Sequence, residues 1–135
     1  MMGRVLVDSN VLLDVMTEDP QWFDWSSNVL REHADKDDLC INPVIYAEVS
    51  IRFARIEELS EVLPEELFER LPIPYEAAFL AGKCFMEYRK RGGTKSSTLP
   101  DFFIGAHAAV ERMTLITRDA SRYRTYFPKL HVIAP

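Results

Sequence analysis

The chain has 135 residues, which predicts one domain spanning 1–135 with a core large enough to fold without a disulfide or a structural metal. Hydrophobic residues make up 47% and charged residues 27%, as in an ordinary globular protein. No apolar run approaches the ~20 residues of a membrane span, and none forms a secretory signal. We therefore expect a cytoplasmic protein with no membrane partner. The net charge is −5, but residues 83–135 carry ten Lys and Arg against four Asp and Glu, so nucleic acid is not excluded as a partner.

The first half of the sequence alternates short apolar strands with helices. Residues 4–8 are apolar and β-branched, which is typical of a buried strand, and Ser9 or Asn10 can cap the helix that follows. Pro43 is well placed to open a later helix, because proline is favoured in a first helical turn. In chain order we predict strand 4–8, a short helix to Met16, helix 22–33, strand 39–41, helix 44–55, and one or two helices over 57–71 broken at Pro64.

The second half continues the alternation. Residues 72–74 can form only a short or edge strand, because two of the three are prolines and proline donates nothing to a ladder. Gly92 and Gly93 are expected to end a long helix. Cys40 and Cys84 lie in apolar stretches and are expected to be buried free thiols. After residues 72–74 we predict helix 75–90, a polar loop through Thr98, helix 101–112, strand 114–117, helix 121–127 and strand 131–134.

Alternation of strands with helices predicts an α/β fold, because each strand–helix–strand unit is a right-handed crossover between parallel strands. We therefore expect a three-layer α/β/α sandwich around a central, mainly parallel sheet of about five short strands. Open sheets of this kind bind ligands beyond the carboxyl ends of their strands. Residues that follow strands are thus the first candidates for a functional site.

Four carboxylates occupy junctions that this fold brings to one edge. Asp8 ends the first strand, and Asp119 follows the strand 114–117. Asp101 follows Pro100 and opens a helix, where the helix dipole favours a carboxylate. Glu48 lies in the helix after the second strand and can point over the sheet edge. Any one of these acids alone is explained as well by helix capping or by solvation.

The combination of the four acids is harder to explain without a ligand. Two carboxylates 4 Å apart repel each other by about 4 kcal/mol at an effective dielectric of 20, so such a cluster normally requires a cation. Oxygen-only ligands suit Mg²⁺ or Mn²⁺ and do not suit structural zinc. A divalent ion held by carboxylates can activate water against a phosphodiester, and the basic C-terminal part can hold a nucleic acid backbone.

Four segments that contain these acids resemble the motifs of PIN-domain nucleases, and among them most closely the VapC toxins of toxin–antitoxin pairs. Their order and spacing fit over essentially the whole chain. The segments are VLVDSNVLLD at 5–14, PVIYAE at 43–48, LPDFFIGAHA at 99–108, and TRD at 117–119 followed by RYRTYFP at 122–128.

The resemblance implies an α/β/α sandwich, dependence on Mg²⁺ or Mn²⁺, endonuclease action on RNA, homodimerisation, and neutralisation by a small VapB-like antitoxin. It implies that Asn10 and Thr117 give polar support to the site. Many relatives have a further acid three positions after the one that matches Asp119, and here that position is Arg122. The acidic site that the resemblance implies consists of Asp8, Glu48, Asp101 and Asp119, of which Asp8, Asp101 and Asp119 would be metal ligands.

The remaining polar residues give weaker signals. Asp14 lies six residues past Asp8 and is expected to be structural, and His107 is expected to be packed or solvated. Five basic residues near the motifs are candidate contacts to RNA or antitoxin, as opposed to solvated helix ends: Arg89, Arg91, Lys95, Arg118 and Arg122.

Three alternatives to a toxin ribonuclease stay open. A housekeeping RNA-processing nuclease of the same fold would carry the same residues. A phosphotransfer protein on a similar sheet is disfavoured, because a phosphatase needs a second acid where Asn10 stands, and a receiver domain has only Lys129 as its candidate lysine. A silent binding module is disfavoured because all four acids are present.

Overall fold

The computed structural model describes residues 3–95 and 98–135. Within these ranges, five short strands alternate with seven helices. The strands are β1 (Arg4–Val7), β2 (Asp38–Ile41), β3 (Glu69–Arg70), β4 (Thr114–Ile116) and β5 (Val132–Ile133). The helices are α1 (Ser9–Met16), α2 (Phe23–Ala34), α3 (Pro43–Ser50), α4 (Ile56–Val62), α5 (Tyr75–Lys90), α6 (Leu99–Val110) and α7 (Ser121–Tyr126).

All five strands form one parallel sheet in the order β3-β2-β1-β4-β5. β1 lies at the centre, and Val5, Leu6 and Val7 are almost wholly buried, as a strand covered on both faces requires. The α/β/α fold with a parallel sheet of about five short strands is therefore confirmed, and the sheet is entirely parallel. Because β1 and β4 are neighbours, the residues that follow them emerge side by side at one edge.

Two boundaries differ from the sequence prediction in the segment 44–74. The helix that Pro43 opens ends at Ser50, because the amides of Arg52 and Phe53 bond to carbonyls three residues back in tighter turns. The helix predicted over 57–71 ends at Val62, and the chain forms the edge strand β3 at Glu69–Arg70.

The strand predicted at 72–74 is wrong, since the sheet pairing ends before it. The last bond to β2 runs from the Leu71 amide to the Ile41 carbonyl at 2.9 Å, and Pro72 has no N–H with which to continue.

Other predictions for the scaffold are confirmed. α5 spans Tyr75–Lys90, and Gly92 follows it with a φ of 92°, a conformation that favours glycine at a helix end. Cys40 and Cys84 are buried and unpaired. Throughout 3–95 and 98–135, no helix has both the length and the apolar character needed to cross a membrane.

Candidate functional site

The four acids predicted from the sequence lie at the carboxyl edge of the sheet, on elements that the parallel order brings together. Asp8 directly follows β1, and its amide donates to the Ile116 carbonyl of β4 at 2.9 Å. Asp119 lies in the loop after β4, Glu48 lies on α3, and Asp101 lies in the first turn of α6.

Asp8 is the most deeply buried of the four, with 4% of its surface exposed. It stands at the N-cap position of α1, but its side chain makes no capping bond. Its Oδ2 atom accepts hydrogen bonds from Thr117 Oγ1 and Tyr123 OH, each at 2.8 Å. Burial raises the pKa of Asp8, the charge of Asp101 adds to this rise, and the two hydroxyl donors oppose it.

Glu48 is joined to Asp8 through Ser9. The Ser9 hydroxyl donates to Glu48 Oε1 at 2.8 Å and lies 3.4 Å from Asp8 Oδ1. Burial raises the pKa of Glu48, and the charges of Asp8 and Asp101 raise it further. Glu48 therefore points toward the other acids and not into solvent. The expectation that Ser9 or Asn10 caps α1 is wrong, because Asp8 holds the capping position and neither side chain makes the capping bond.

Asp101 forms an ion pair with Arg122, whose Nη1 atom lies 2.7 Å from Asp101 Oδ2. The Arg122 guanidinium also lies 5.6 Å from the centre of the Tyr88 ring. Burial raises the pKa of Asp101, and the charge of Asp119 adds to the rise, while Arg122 opposes it. Asp101 thus interacts with the charge of Asp119 and with one cation, Arg122.

Asp119 is held by the start of α7. Its Oδ1 atom accepts hydrogen bonds from the Ser121 hydroxyl at 3.0 Å and from the Ser121 amide at 3.3 Å. Thr117 links this loop to β1, since its Oγ1 atom donates to Asp8 and accepts from the Asp119 amide at 3.2 Å.

One feature is common to the four acids: a protein donor holds one carboxylate oxygen of each. Across 3–95 and 98–135, the other oxygen of each acid has no short hydrogen bond. The second oxygen of Asp8 lies 3.4 Å from the Ser9 hydroxyl, whose single proton goes to Glu48. The free atoms are Asp8 Oδ1, Glu48 Oε2, Asp101 Oδ1 and Asp119 Oδ2. Each carboxylate is therefore oriented by the protein and has one oxygen left for a ligand.

The donor set fits Mg²⁺ or Mn²⁺, which prefer single carboxylate oxygens and water. It is not a closed cage, because among the residues described here no three acids, histidines or cysteines are arranged as a ready ligand group. The fit to the ion therefore lies in the chemistry of the oxygens.

Asn10 and Asp14 support the loop that carries Thr117 and Asp119. Asn10 accepts from the Arg118 amide at 3.1 Å and donates to Thr117 Oγ1 at 3.3 Å. Asp14 is 2% exposed and accepts from Arg118 Nε at 2.9 Å. Asp14 also accepts from Ser26 of α2 at 2.8 Å, so its contacts are those of a structural residue, as expected.

Sequence reasoning missed two residues of the site, Ser9 and Tyr123. Ser9 lies next to Asp8 in the chain, but nothing in its position shows that its hydroxyl reaches a different helix. Tyr123 is 2% exposed and resembles any core tyrosine in sequence; only the packing of α7 shows that its hydroxyl contacts Asp8. His107 is packed, with Asn42 Nδ2 3.0 Å from its Nδ1 atom.

The candidate basic contacts fall into two groups. Arg118 binds the buried Asp14, which is structural, and Arg122 binds the half-buried Asp101 of the site. Arg89, Arg91 and Lys95 are exposed at the end of α5 and beyond it. Arg91 also pairs with Glu87 at 3.3 Å. A contact of these three residues to RNA or to an antitoxin stays a prediction.

Comparison with known proteins gives a family and a fold. A model of the PIN domain matches residues 5–128. Among curated proteins, no sequence matches the chain. Of the solved structures, VapBC2 from Rickettsia felis, bound to a DNA fragment from the promoter, has a TM-score of 0.73 and 19% identity, over 97% of this chain and 98% of that one.

Two further solved structures are similar over nearly the same length. VapBC-1 from nontypeable Haemophilus influenzae has a TM-score of 0.72 and 18% identity, over 97% of each chain. A toxin–antitoxin complex from Klebsiella pneumoniae has a TM-score of 0.68 and 22% identity, over 96% of this chain and 95% of that one. At these identities the likeness shows that the fold is shared.

Proposed function

Because the chain belongs to the PIN domain family, we propose that it is a Mg²⁺- or Mn²⁺-dependent endoribonuclease that acts as the toxin of a toxin–antitoxin pair. Membership of the family implies nuclease activity. The observation that carries the metal-dependent part is the set of four carboxylates, each oriented through one oxygen and with the other oxygen free.

Each residue of the site has a role that its environment supports. Asp8, Asp101 and Asp119 would hold the ion through their free oxygens, and the ion would polarise water and the phosphodiester. Glu48 is half-buried, and its raised pKa makes it a better proton acceptor than an exposed glutamate. We therefore assign Glu48 Oε2 as the atom that takes a proton from the attacking water. Thr117, Asn10, Ser9 and Tyr123 orient the acids and do not react.

The test of this site is RNA cleavage by the variant Asp101→Asn with added Mn²⁺. We expect a loss of at least about 100-fold in rate, because a ligand and its charge are removed while the side-chain shape is kept. Asp38→Asn is the matched control, because Asp38 is an exposed acid at the opposite end of β2. Wild-type cleavage by Asp101→Asn, or full activity with a chelator present, would contradict the assignment.

An apolar cleft beside α3 supports a protein partner. The cleft has a volume of about 650 Å³. Ile56 lies on its wall and is 65% exposed, and the nearby Ile51 is 85% exposed. Exposed isoleucines next to a cleft are typical of an interface. We propose that a small VapB-like antitoxin covers this surface, which is consistent with the VapBC structures that share the fold. The cleft is lined by Ile41, Asn42, Pro43, Tyr46, Ala47, Ser50, Ile56, Arg70, Leu71 and Pro72.

Expression of the gene in cells separates a toxin from a housekeeping RNA-processing nuclease. We expect induction of the wild type to arrest growth, and co-expression of a short neighbouring gene to relieve the arrest. Ile56→Asp should still arrest growth, but the neighbour should no longer relieve it, because a charge would be buried in the interface. Normal growth on induction of an active enzyme would favour the housekeeping role.

A second exposed stripe lies on α5 and supports a homodimer. Tyr75, Phe79 and Met86 share one face of the helix and are 90%, 68% and 44% exposed. We propose that two copies pair through this face. Sedimentation should give a dimer for the wild type and a monomer for Phe79→Glu, and a monomeric wild type would contradict the proposal.

A further inference from the structure

Arg122 is the one basic side chain in 3–95 and 98–135 that forms an ion pair with any of the four acids. Its Nη1 atom lies 2.7 Å from Asp101 Oδ2, and its side chain is 29% exposed. The Tyr88 ring lies against the guanidinium at 5.6 Å. Arg118, which is adjacent to Asp119 in sequence, pairs with Asp14 and not with the four acids. The position of Arg122 is thus fixed from two sides, by an acid and by an aromatic ring.

Asp101 is the acid of the site that is paired with a cation. Its charge acts on Asp8 and on Glu48, while the charge of Asp119 acts on Asp101. Contacts through Ser9 join Glu48 to Asp8, and Thr117 joins Asp8 to the Asp119 backbone, whereas Asp101 is held by Arg122. Asp101 and Asp119 are among the acids that would have to supply oxygens to a second divalent ion. The Asp101 oxygen that Arg122 occupies is then not free for it.

The balance of charge points the same way. Four carboxylates carry four negative charges, which two divalent ions would balance in the absence of Arg122; with Arg122 present, a second divalent ion would exceed the negative charge by one. A guanidinium cannot lose its proton in the physiological range, so the charge of Arg122 is permanent. Like charges disfavour each other strongly in a site that water only partly reaches.

We propose that the Arg122 guanidinium, bound to Asp101, is the second cation of the site and limits it to one divalent ion. This inference rests on the proposed metal-dependent function. Arg122 is a positioning residue in this account, because it holds Asp101 and excludes an ion without taking part in proton transfer.

The test is titration with Mn²⁺, followed by the electron paramagnetic resonance of free Mn²⁺, which counts bound ions without any cleavage assay. We expect one bound ion in the wild type and two in Arg122→Ala. Arg124→Ala is the matched control, because Arg124 is exposed on the same helix and its removal changes the net charge equally. It should bind one ion. Arg122→Lys keeps the charge and should also bind one.

Each other outcome has a definite meaning. Two ions in the wild type, or one ion in both the wild type and Arg122→Ala, would overturn the inference and leave the metal-dependent nuclease standing. No bound ion in any variant would overturn both proposals. If Arg122→Ala is not folded by circular dichroism, Arg122→Gln replaces it, since glutamine removes the charge with a smaller loss of side-chain volume; it should bind two ions.

Discussion

Gly105 connects the packing of the core to the site, and its replacement by alanine gives a well-defined test. Gly105 lies within α6, where α7 crosses it. A Cβ atom at this position would lie 2.4 Å from Phe127 Cε2, 2.7 Å from Phe127 Cδ2 and 3.0 Å from Tyr123 Cδ1. Carbon atoms pack at about 3.5 Å or more, so the Phe127 ring must move by about 1 Å. Phe127 is 5% exposed and Tyr123 is 2% exposed, which leaves little room for that movement.

The expected size of the effect follows from two opposing terms. Overpacking of a dense core destabilises by about 1–3 kcal/mol, and the contact with two buried rings puts Gly105→Ala at the upper end, about 2–3 kcal/mol. Alanine stabilises a helix by about 0.5–1 kcal/mol relative to glycine. We therefore expect a net loss of about 1–2 kcal/mol in the free energy of unfolding of Gly105→Ala.

Gly82→Ala is the matched control. Gly82 lies within α5, is exposed, and has nothing within 4 Å of an added Cβ atom. Gly82→Ala should gain only the preference of alanine for a helix. The free energies of unfolding of the two variants should therefore differ by the steric cost at Gly105, about 2–3 kcal/mol. Urea denaturation of each variant measures this as a shift in midpoint at constant slope.

A loss of RNA cleavage should accompany the loss of stability in Gly105→Ala. Displacement of α7 moves the Tyr123 hydroxyl away from Asp8 and Arg122 away from Asp101. If Gly105→Ala unfolds at the same urea concentration as Gly82→Ala, the close packing of α6 on α7 is wrong, and with it the placement of Tyr123 and Arg122 in the site.

Two further predictions concern buried charge. Burial raises the pKa values of Asp8, Glu48 and Asp101 in the folded state. At these three residues the folded protein therefore binds more protons than the unfolded one. Its stability should fall as the pH rises from the ordinary carboxyl range toward 7. Without divalent ions, Asp8→Asn should therefore melt at a higher temperature than the wild type at pH 7, with the gap narrowing at pH 4, and a lower melting temperature at pH 7 would contradict this. Asp14→Ala removes the acceptor of the hydrogen bonds from Ser26 and Arg118, so its free energy of unfolding should fall by about 1–3 kcal/mol. Asp24→Ala, at an exposed acid of α2, is the control and should lose less than about 0.5 kcal/mol. Equal losses in the two variants would show that the Asp14 contacts do not contribute to stability.

The parallel fold could be predicted because strand and helix patterns alternate clearly along most of the chain. Val5, Leu6 and Val7 form a continuous apolar run that only a strand covered on both faces can bury. The edge strand could not be predicted, because Glu69 and Arg70 are charged and β3 is only two residues long. Its place is set by pairing with β2, a tertiary contact that leaves no local pattern.

The placement of the acids could be predicted from the rule that parallel strands end at one edge. The contacts that orient them could not. Ser9 and Tyr123 reach residues 39 and 115 positions away in sequence, and such bonds depend on how helices pack. Arg122 was expected to contact RNA or an antitoxin, and its pairing with Asp101 depends on the position of α7 over α6.

The central claim is that the acids act as one metal-dependent site, and the most direct measurement is RNA cleavage by Asp8→Asn, Glu48→Gln and the double variant in the same Mn²⁺ buffer. Residues that act as a unit have non-additive effects. We predict that each single variant loses at least about 100-fold in rate and that the double variant is no slower than the worse of the two. Losses that multiply in the double variant, or wild-type cleavage by either single variant, would contradict the account.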